Sequence, residues 1–247
     1  VTIGLALISA LVGLLIGSVG VGGVLLIPAL TFLAAVPIHE AMATALFTFI
    51  FTGVVATVLF QRRGSIDWRV TVPVCVGGAL CAFPGAWANS KLNGTQLTAL
   101  LAVLIAAAGV YTLWSRSAQR PEAFHDRPRH QTVLLLAIGG ATGFGSGLTG
   151  VGGPALSVPM LVLFGFSPLT TIGASQVVQI LAALSGTAGN MVHGSIDFRL
   201  AALVLVFEIV GVFAGVKLAH SVDARALRRL VGALCVMVGA GLLARAL

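Results

Sequence analysis

Hydrophobic positions in this chain fall in long runs, not in the strict alternation of a half-buried strand or the one-sided stripe of a surface helix. Five runs occupy the first half: Val1–Gly17, Val24–Val36, Ala41–Phe60, Val70–Ala88 and Leu97–Trp114. Five more follow: Thr132–Gly147, Pro154–Phe166, Thr171–Asn190, Leu200–Ala219 and Leu227–Leu243. A helix needs about 20 apolar residues to cross a bilayer. The last three runs of each half are long enough to do so, whereas the first two are short and flank a glycine-rich tip. The pattern predicts an all-α polytopic membrane protein in which each half has three long transmembrane helices preceded by a short-helix pair. That pair is either a re-entrant hairpin or two tilted short spans.

The two halves are one sequence written twice. Sliding the chain against itself by 130 positions aligns Gly20-Val21-Gly22-Gly23 with Gly150-Val151-Gly152-Gly153. Without a gap, the same shift aligns Gly64-Ser65-Ile66-Asp67 with Gly194-Ser195-Ile196-Asp197, and Gly13, Gly17 and Gly85 with Gly143, Gly147 and Gly215. The organisation expected is repeat 1 over 1–114, a basic cytoplasmic linker over 115–130 and repeat 2 over 131–247. The run Val1–Gly17 has no basic segment before it and has a mid-chain counterpart, so it reads as part of the fold and not as a signal peptide.

Composition agrees: 58% of residues are hydrophobic and 9% charged, against about a quarter charged in a soluble domain. The net charge of +7 would suggest a nucleic-acid partner in a soluble protein. Here the arginines sit in short connections, so the expected counterions are lipid headgroups and no nucleic acid is implied. Arg62, Arg63 and Arg69 surround the connection after the third run of repeat 1, where repeat 2 has only Arg199. After the fourth run the bias reverses: Lys91 stands alone in repeat 1, but Lys217, Arg225, Arg228 and Arg229 cluster in repeat 2. By the positive-inside rule the repeats face opposite ways, the inverted topology of secondary transporters.

The tips carry the candidate chemistry. Gly17-Ser18-Val19-Gly20-Val21-Gly22-Gly23 and Gly147-Leu148-Thr149-Gly150-Val151-Gly152-Gly153 each open a short apolar helix. Glycines let backbone amides converge, and a helix start leaves N–H groups unsatisfied, so each tip is a cradle for a small anion. Pro154, at a first-turn position, removes no needed donor. Close packing is the competing use of glycine, and it is the reading for the spaced pairs Gly13/Gly17, Gly143/Gly147 and Gly211/Gly215. On the third run of each half, Thr44 and Thr48 share one helix face, as do Ser175 and Gln179, with Gln176 adjacent. They either complete the site or tie helices together. Candidate substrate-binding residues are therefore Ser18, Gly20, Gly22, Gly23, Thr44, Thr48, Thr149, Gly150, Gly152, Gly153, Ser175, Gln176 and Gln179.

Glu208 is the acid set well inside an apolar run, and its repeat mate is Gly78. It is a proton-coupling candidate or a hydrogen-bonded packing residue. Asp67 and Asp197 sit in turns read as helix caps, with Ser65 or Asp67 and Ser195 or Asp197 accepting from the first-turn amides, and Asn190 and His193 read as interfacial residues. Cys75, Cys81 and Cys235 lie in apolar runs without metal-ligand spacing, so no metal is expected. No HExxH, CxxC or P-loop is present, which disfavours an enzyme, and no cofactor is implied.

The paired Gly-Val-Gly-Gly tips, Pro28 and Pro159 downstream of them, the polar starts Ala43-Thr44 and Ala174-Ser175, and the repeated Gly-Ser-Ile-Asp loops resemble the sulfite exporter TauE/SafE family of bacterial membrane transporters. The resemblance implies sulfite, organosulfonates or related sulfur oxyanions as substrates, moved across the inner membrane and coupled to the proton-motive force. Pro154 departs from the small residue often found after the tip in that family. A passive anion channel or uniporter using the same cradles, and a non-transporting membrane scaffold, are the alternatives. The oligomeric state is not legible in the sequence.

Overall fold

The structure, a computed structural model, describes residues 2–20, 22–114, 123–124, 127–193 and 196–221, with scattered helical positions between 233 and 244. The described chain is helical. Repeat 1 contains α1 (Thr2–Val19), a 3-10 turn (Gly22–Leu25) running into α2 (Leu26–Leu33), α3 (Ile38–Arg62), α4 (Trp68–Asn89) and α5 (Gly94–Trp114). Repeat 2 contains α6 (Pro128–Thr149), α7 (Pro154–Leu163), α8 (Pro168–His193) and α9 (Phe198–Ala219). The run Leu227–Leu243, with Arg225, Arg228, Arg229 and Cys235, lies outside the described residues apart from those scattered positions.

Among the described residues five helices are long and apolar enough to cross a membrane: α3, α4, α6, α8 and α9. That α6 is among them differs from the sequence expectation. Its apolar run begins at Thr132, yet the helix starts at Pro128, because a first-turn proline is pre-set for helix and the polar turn Arg129–Gln131 extends the apolar stretch outward. Residues 128–130, expected in the linker, are thus helical.

Helix starts follow local chemistry. Asp67 caps α4 by accepting from the Arg69 amide at 2.9 Å, and Asp197 caps α9 by accepting from the amides of Arg199 and Leu200, each at 3.0 Å. These are the caps expected from the sequence. His39 Nε2 lies 3.2 Å from the Leu92 carbonyl and ties the start of α3 to the α4–α5 turn.

Inside a bilayer the hydrophobic effect does not press helices together, so close backbone approach has to do so. The spaced glycines supply it. A Cβ on Gly13 would stand 2.0 Å from the Glu208 carbonyl oxygen, and one on Gly215 would stand 2.2 Å from that of Leu14, so α1 and α9 touch backbone to backbone. Between α6 and α4, Gly143 would meet the Gly78 oxygen at 2.1 Å, Gly147 that of Ala82 at 2.0 Å and Gly85 that of Phe144 at 2.2 Å. The Gly143–Gly78 and Gly85–Phe144 contacts are the Gly13–Glu208 and Gly215–Leu14 contacts moved by the repeat shift. Each repeat therefore packs its first helix on the fourth helix of the other.

The longest helices, α3 and α8, cross at the centre. Their contacts run in opposite order: Leu46 with Gly186, Phe49 with Gln179, Gly53 with Gln176 and Ile180. Outward faces are apolar and exposed: Val76, Leu80 and Phe83 on α4, and at the equivalent positions Val206, Val210 and Phe213 on α9. Such stripes match a lipid environment.

Candidate functional site

Both glycine tips are buried and converge at mid-length of α3 and α8. Tip 1 leaves α1 through Gly20, whose φ of +81° only glycine adopts without strain, and whose amide closes α1 by donating to the carbonyls of Leu15 and Ile16. Tip 2 leaves α6 through Gly150, φ +69°, which donates to the Ser146 carbonyl at 2.8 Å. The tips meet where a Cβ on Gly23 would stand 2.7 Å from the Val151 carbonyl oxygen.

Beyond this point the repeats differ. Gly152 is left-handed, φ +88°, whereas its mate Gly22 begins a 3-10 turn. Gly22 lies flat on α1, its missing Cβ only 2.3 Å from the Val12 carbonyl oxygen, so that position is needed for packing. Gly153 lies against the Gln179 backbone. The amides of Gly152 and Gly153 donate to no described group. They precede α7, whose first proper bonds come from Leu156 and Ser157 to the Gly153 carbonyl. A helix start leaves such N–H groups without intrahelical partners, and here they are buried.

The side chains singled out in the sequence divide into two groups. Gln179 stands at the centre: its Nε2 donates to the Phe49 carbonyl at 3.0 Å and to Thr52 Oγ1 at 3.1 Å, and its Oε1 would lie 3.9 Å from a Cβ on Gly152. Gln176 Nε2 donates to the Ile16 carbonyl at 3.2 Å, just below tip 1, and its buried Oε1 has no described partner. Thr48, also central, donates to the Ala45 carbonyl at 2.9 Å. The others are engaged elsewhere. Thr44 Oγ1 accepts from the Asp197 amide at the start of α9, and Ser175 accepts from Ser157 at 2.7 Å. Ser18 and Thr149 donate back to the Leu14 and Gly145 carbonyls within their own helices. Asn190 and His193 fall in the last turn of α8, and their side chains lie outside the described residues.

Glu208 is 0% exposed, at the middle of α9 where its backbone meets Gly13. The Thr48 hydroxyl is the polar neighbour of its carboxyl, in a geometry that stops short of a hydrogen bond, and both carboxyl oxygens lack a described partner. An acid buried in a membrane-spanning helix is costly and rare. Among the described residues no group of three or more His, Cys, Asp or Glu is placed to hold a metal.

Two central residues escaped the sequence reading, Phe49 and Thr52. The signal for Phe49 was available: it is the repeat mate of Gln179, so a self-pairing crossing of the two third helices brings the two together.

Comparison with known proteins completes the picture. The family described as Sulfite exporter TauE/SafE matches residues 5–242. The chain is 30% identical to a probable membrane transporter protein of Xylella fastidiosa (strain 9a5c), over 92% of this chain and 89% of the relative. It is 27% identical to the probable membrane transporter protein YunE of Bacillus subtilis, over 89% and 86% respectively, and 23% identical to MJ0441 of Methanocaldococcus jannaschii, a probable membrane transporter protein, over 95% and 92%. No solved structure matches it. The helical architecture, the paired glycine tips and the match over nearly the whole chain lead to one conclusion: this is a multi-pass membrane protein of the sulfite exporter TauE/SafE family.

Proposed function

We propose that the protein is a secondary transporter that exports a small sulfur oxyanion, sulfite or an organosulfonate, across the bacterial inner membrane by alternating access, driven by the proton-motive force. The observation that carries this reading is the convergence of the two glycine tips at the α3–α8 crossing, with the buried Gly152 and Gly153 amides donating to no described group. Amides so placed bind an oxyanion through its oxygens without a fixed countercharge, which permits release as well as capture.

Two repeats, 1–114 and 131–247, joined by a basic cytoplasmic linker, supply the moving parts. The opposite running of α3 and α8, and the recurrence of the α1–α9 contacts between α6 and α4, support an inverted relation between them. Ser18, Gly20, Gly22 and Gly23 shape the first tip and Thr149, Gly150, Gly152 and Gly153 the second; Thr44, Thr48, Ser175, Gln176 and Gln179 support them from α3 and α8. Glu208 is the coupling residue, exchanging its proton as access alternates. The ring of Phe49 between the tips favours a gated carrier over an open channel.

Two experiments test this. Titrating sulfite into purified protein should give saturable binding, and absence of binding by sulfite and by every tested sulfonate would remove the anion site. Arg62→Cys and Arg199→Cys, in a background without Cys75, Cys81 and Cys235, should be labelled from opposite sides of the membrane; labelling from one side would contradict inversion.

A further inference from the structure

The tips do not meet over empty space: an aromatic edge fills the gap. A Cβ on Gly23 would stand 2.8 Å from Phe49 Cζ and 3.1 Å from Cε2, and one on Gly152 would stand 3.1 Å from Cδ2 and 3.3 Å from Cε2. One edge of a single ring, Cδ2–Cε2–Cζ, thus runs from the second tip to the first. Both positions are glycine, and any side chain at either would have to displace the ring or the tip. The ring is 1% exposed, and its own backbone is pinned because the Phe49 carbonyl accepts from Gln179 at 3.0 Å. Only the side-chain torsions are left to move it.

We propose that the Phe49 ring is the residue that sets which anion passes between the two cradles, by limiting the size of the group carried on the anion's sulfur. The inference rests on the anion-transport reading above and names its selectivity element. Its chemistry follows from two surfaces that adjoin at Gly152, the tip backbone and the ring edge. The amides of Gly152 and Gly153, which donate to no described group, can donate to the oxygens of a bound sulfur oxyanion, which turns those oxygens to them. Whatever else the sulfur carries then has to be accommodated beside them, where the ring edge lies against Gly152. The edge of an aromatic ring bears the positive side of its quadrupole, which tolerates an anion closer than the ring face would, while its carbon surface accepts a short alkyl group. A bare sulfite or a one-carbon sulfonate requires a small swing of the ring. A three-carbon sulfonate requires the ring to leave the gap altogether.

The test compares sulfite, methanesulfonate and 1-propanesulfonate flux in proteoliposomes for the unsubstituted protein, Phe49→Leu, Phe49→Ala and a control, Phe60→Leu. Phe60 is equally buried on the same helix but packs at a tilt against His220 at its far end, away from the tips, so the control reports the effect of shrinking a core phenylalanine as such. A hydrophobic pocket discriminates about tenfold or more per methylene. Both Phe49 variants should therefore raise the propanesulfonate-to-sulfite flux ratio by about tenfold or more, with the ratio unmoved in Phe60→Leu. Phe49→Leu keeps most of the buried volume and gives the answer even where Phe49→Ala fails to insert. A ratio unchanged in the Phe49 variants, or changed equally in the Phe60 control, overturns the inference while leaving the transport reading intact. Lack of flux of all three anions through the unsubstituted protein overturns both.

Discussion

Gly152→Ala separates a glycine kept for its backbone from one kept for its ligand. At φ +88° a residue with a Cβ carries about 1–2 kcal/mol of strain. The new methyl would also stand 3.1 Å from the Phe49 ring, tighter than ordinary contact. Relief of either moves the tip by a few tenths of an ångström, which misaligns the adjacent amides. A hydrogen bond to a charged group contributes about 1.5–3 kcal/mol, so loss of one corresponds to roughly 10- to 100-fold in affinity. Gly64→Ala is the matched control: Gly64 has φ +66° and nothing within 4 Å of its missing Cβ, so it takes the same backbone strain far from the tips. Sulfite titration and thermal unfolding in detergent should show Gly152→Ala destabilised at least as much as Gly64→Ala, and only Gly152→Ala weakened in binding. Equal sulfite affinity in Gly152→Ala and the unsubstituted protein would refute the amide-cradle reasoning.

Other substitutions probe the rest of the account. Gly139→Ala places a methyl 2.1 Å from the Val74 carbonyl oxygen, whereas Gly140→Ala meets only the Cys81 sulfur at 3.3 Å; overpacking should destabilise the first by about 1–3 kcal/mol and leave the second close to the parent in a detergent melt. Asp197→Ala removes the cap that accepts from two α9 amides and should lower stability by about 0.5–2 kcal/mol, read by the same melt. Glu208→Gln keeps the shape of a fully buried side chain and removes its exchangeable charge; downhill sulfite flux should persist while gradient-driven accumulation is lost, and accumulation at the parental level would exclude Glu208 from coupling.

Much of the fold was legible because membrane helices announce themselves by unbroken apolar runs, and because a duplicated sequence states its own symmetry. The roles of Gly13, Gly17, Gly143 and Gly147 in packing follow from their four-residue spacing, and those of Asp67 and Asp197 from their place just ahead of an apolar run. The extent of α6 was hidden because its first turn is polar. The candidate site was legible in outline and not in detail. Glycine spacing cannot distinguish Gly22, which lies against the α1 backbone, from Gly152, which turns into the centre; sequence shows the residue but not its φ. Thr44 shares a helix face with Thr48, yet it is engaged by the Asp197 amide from the other repeat, a contact that no local pattern encodes. Phe49 was passed over because a phenylalanine in an apolar run looks like any other core residue until two distant glycines are found against its edge.

The central claim is that the chain moves a sulfur oxyanion against its gradient at the expense of a proton gradient. Sulfite flux in proteoliposomes, measured with and without an imposed pH difference, tests it most directly. Sulfite should accumulate above equilibrium when the pH difference is present, and the accumulation should collapse when an ionophore dissipates it. Sulfite flux of the same size and extent in both conditions would contradict coupled transport, and no flux of sulfite or any sulfonate would contradict the transport claim itself.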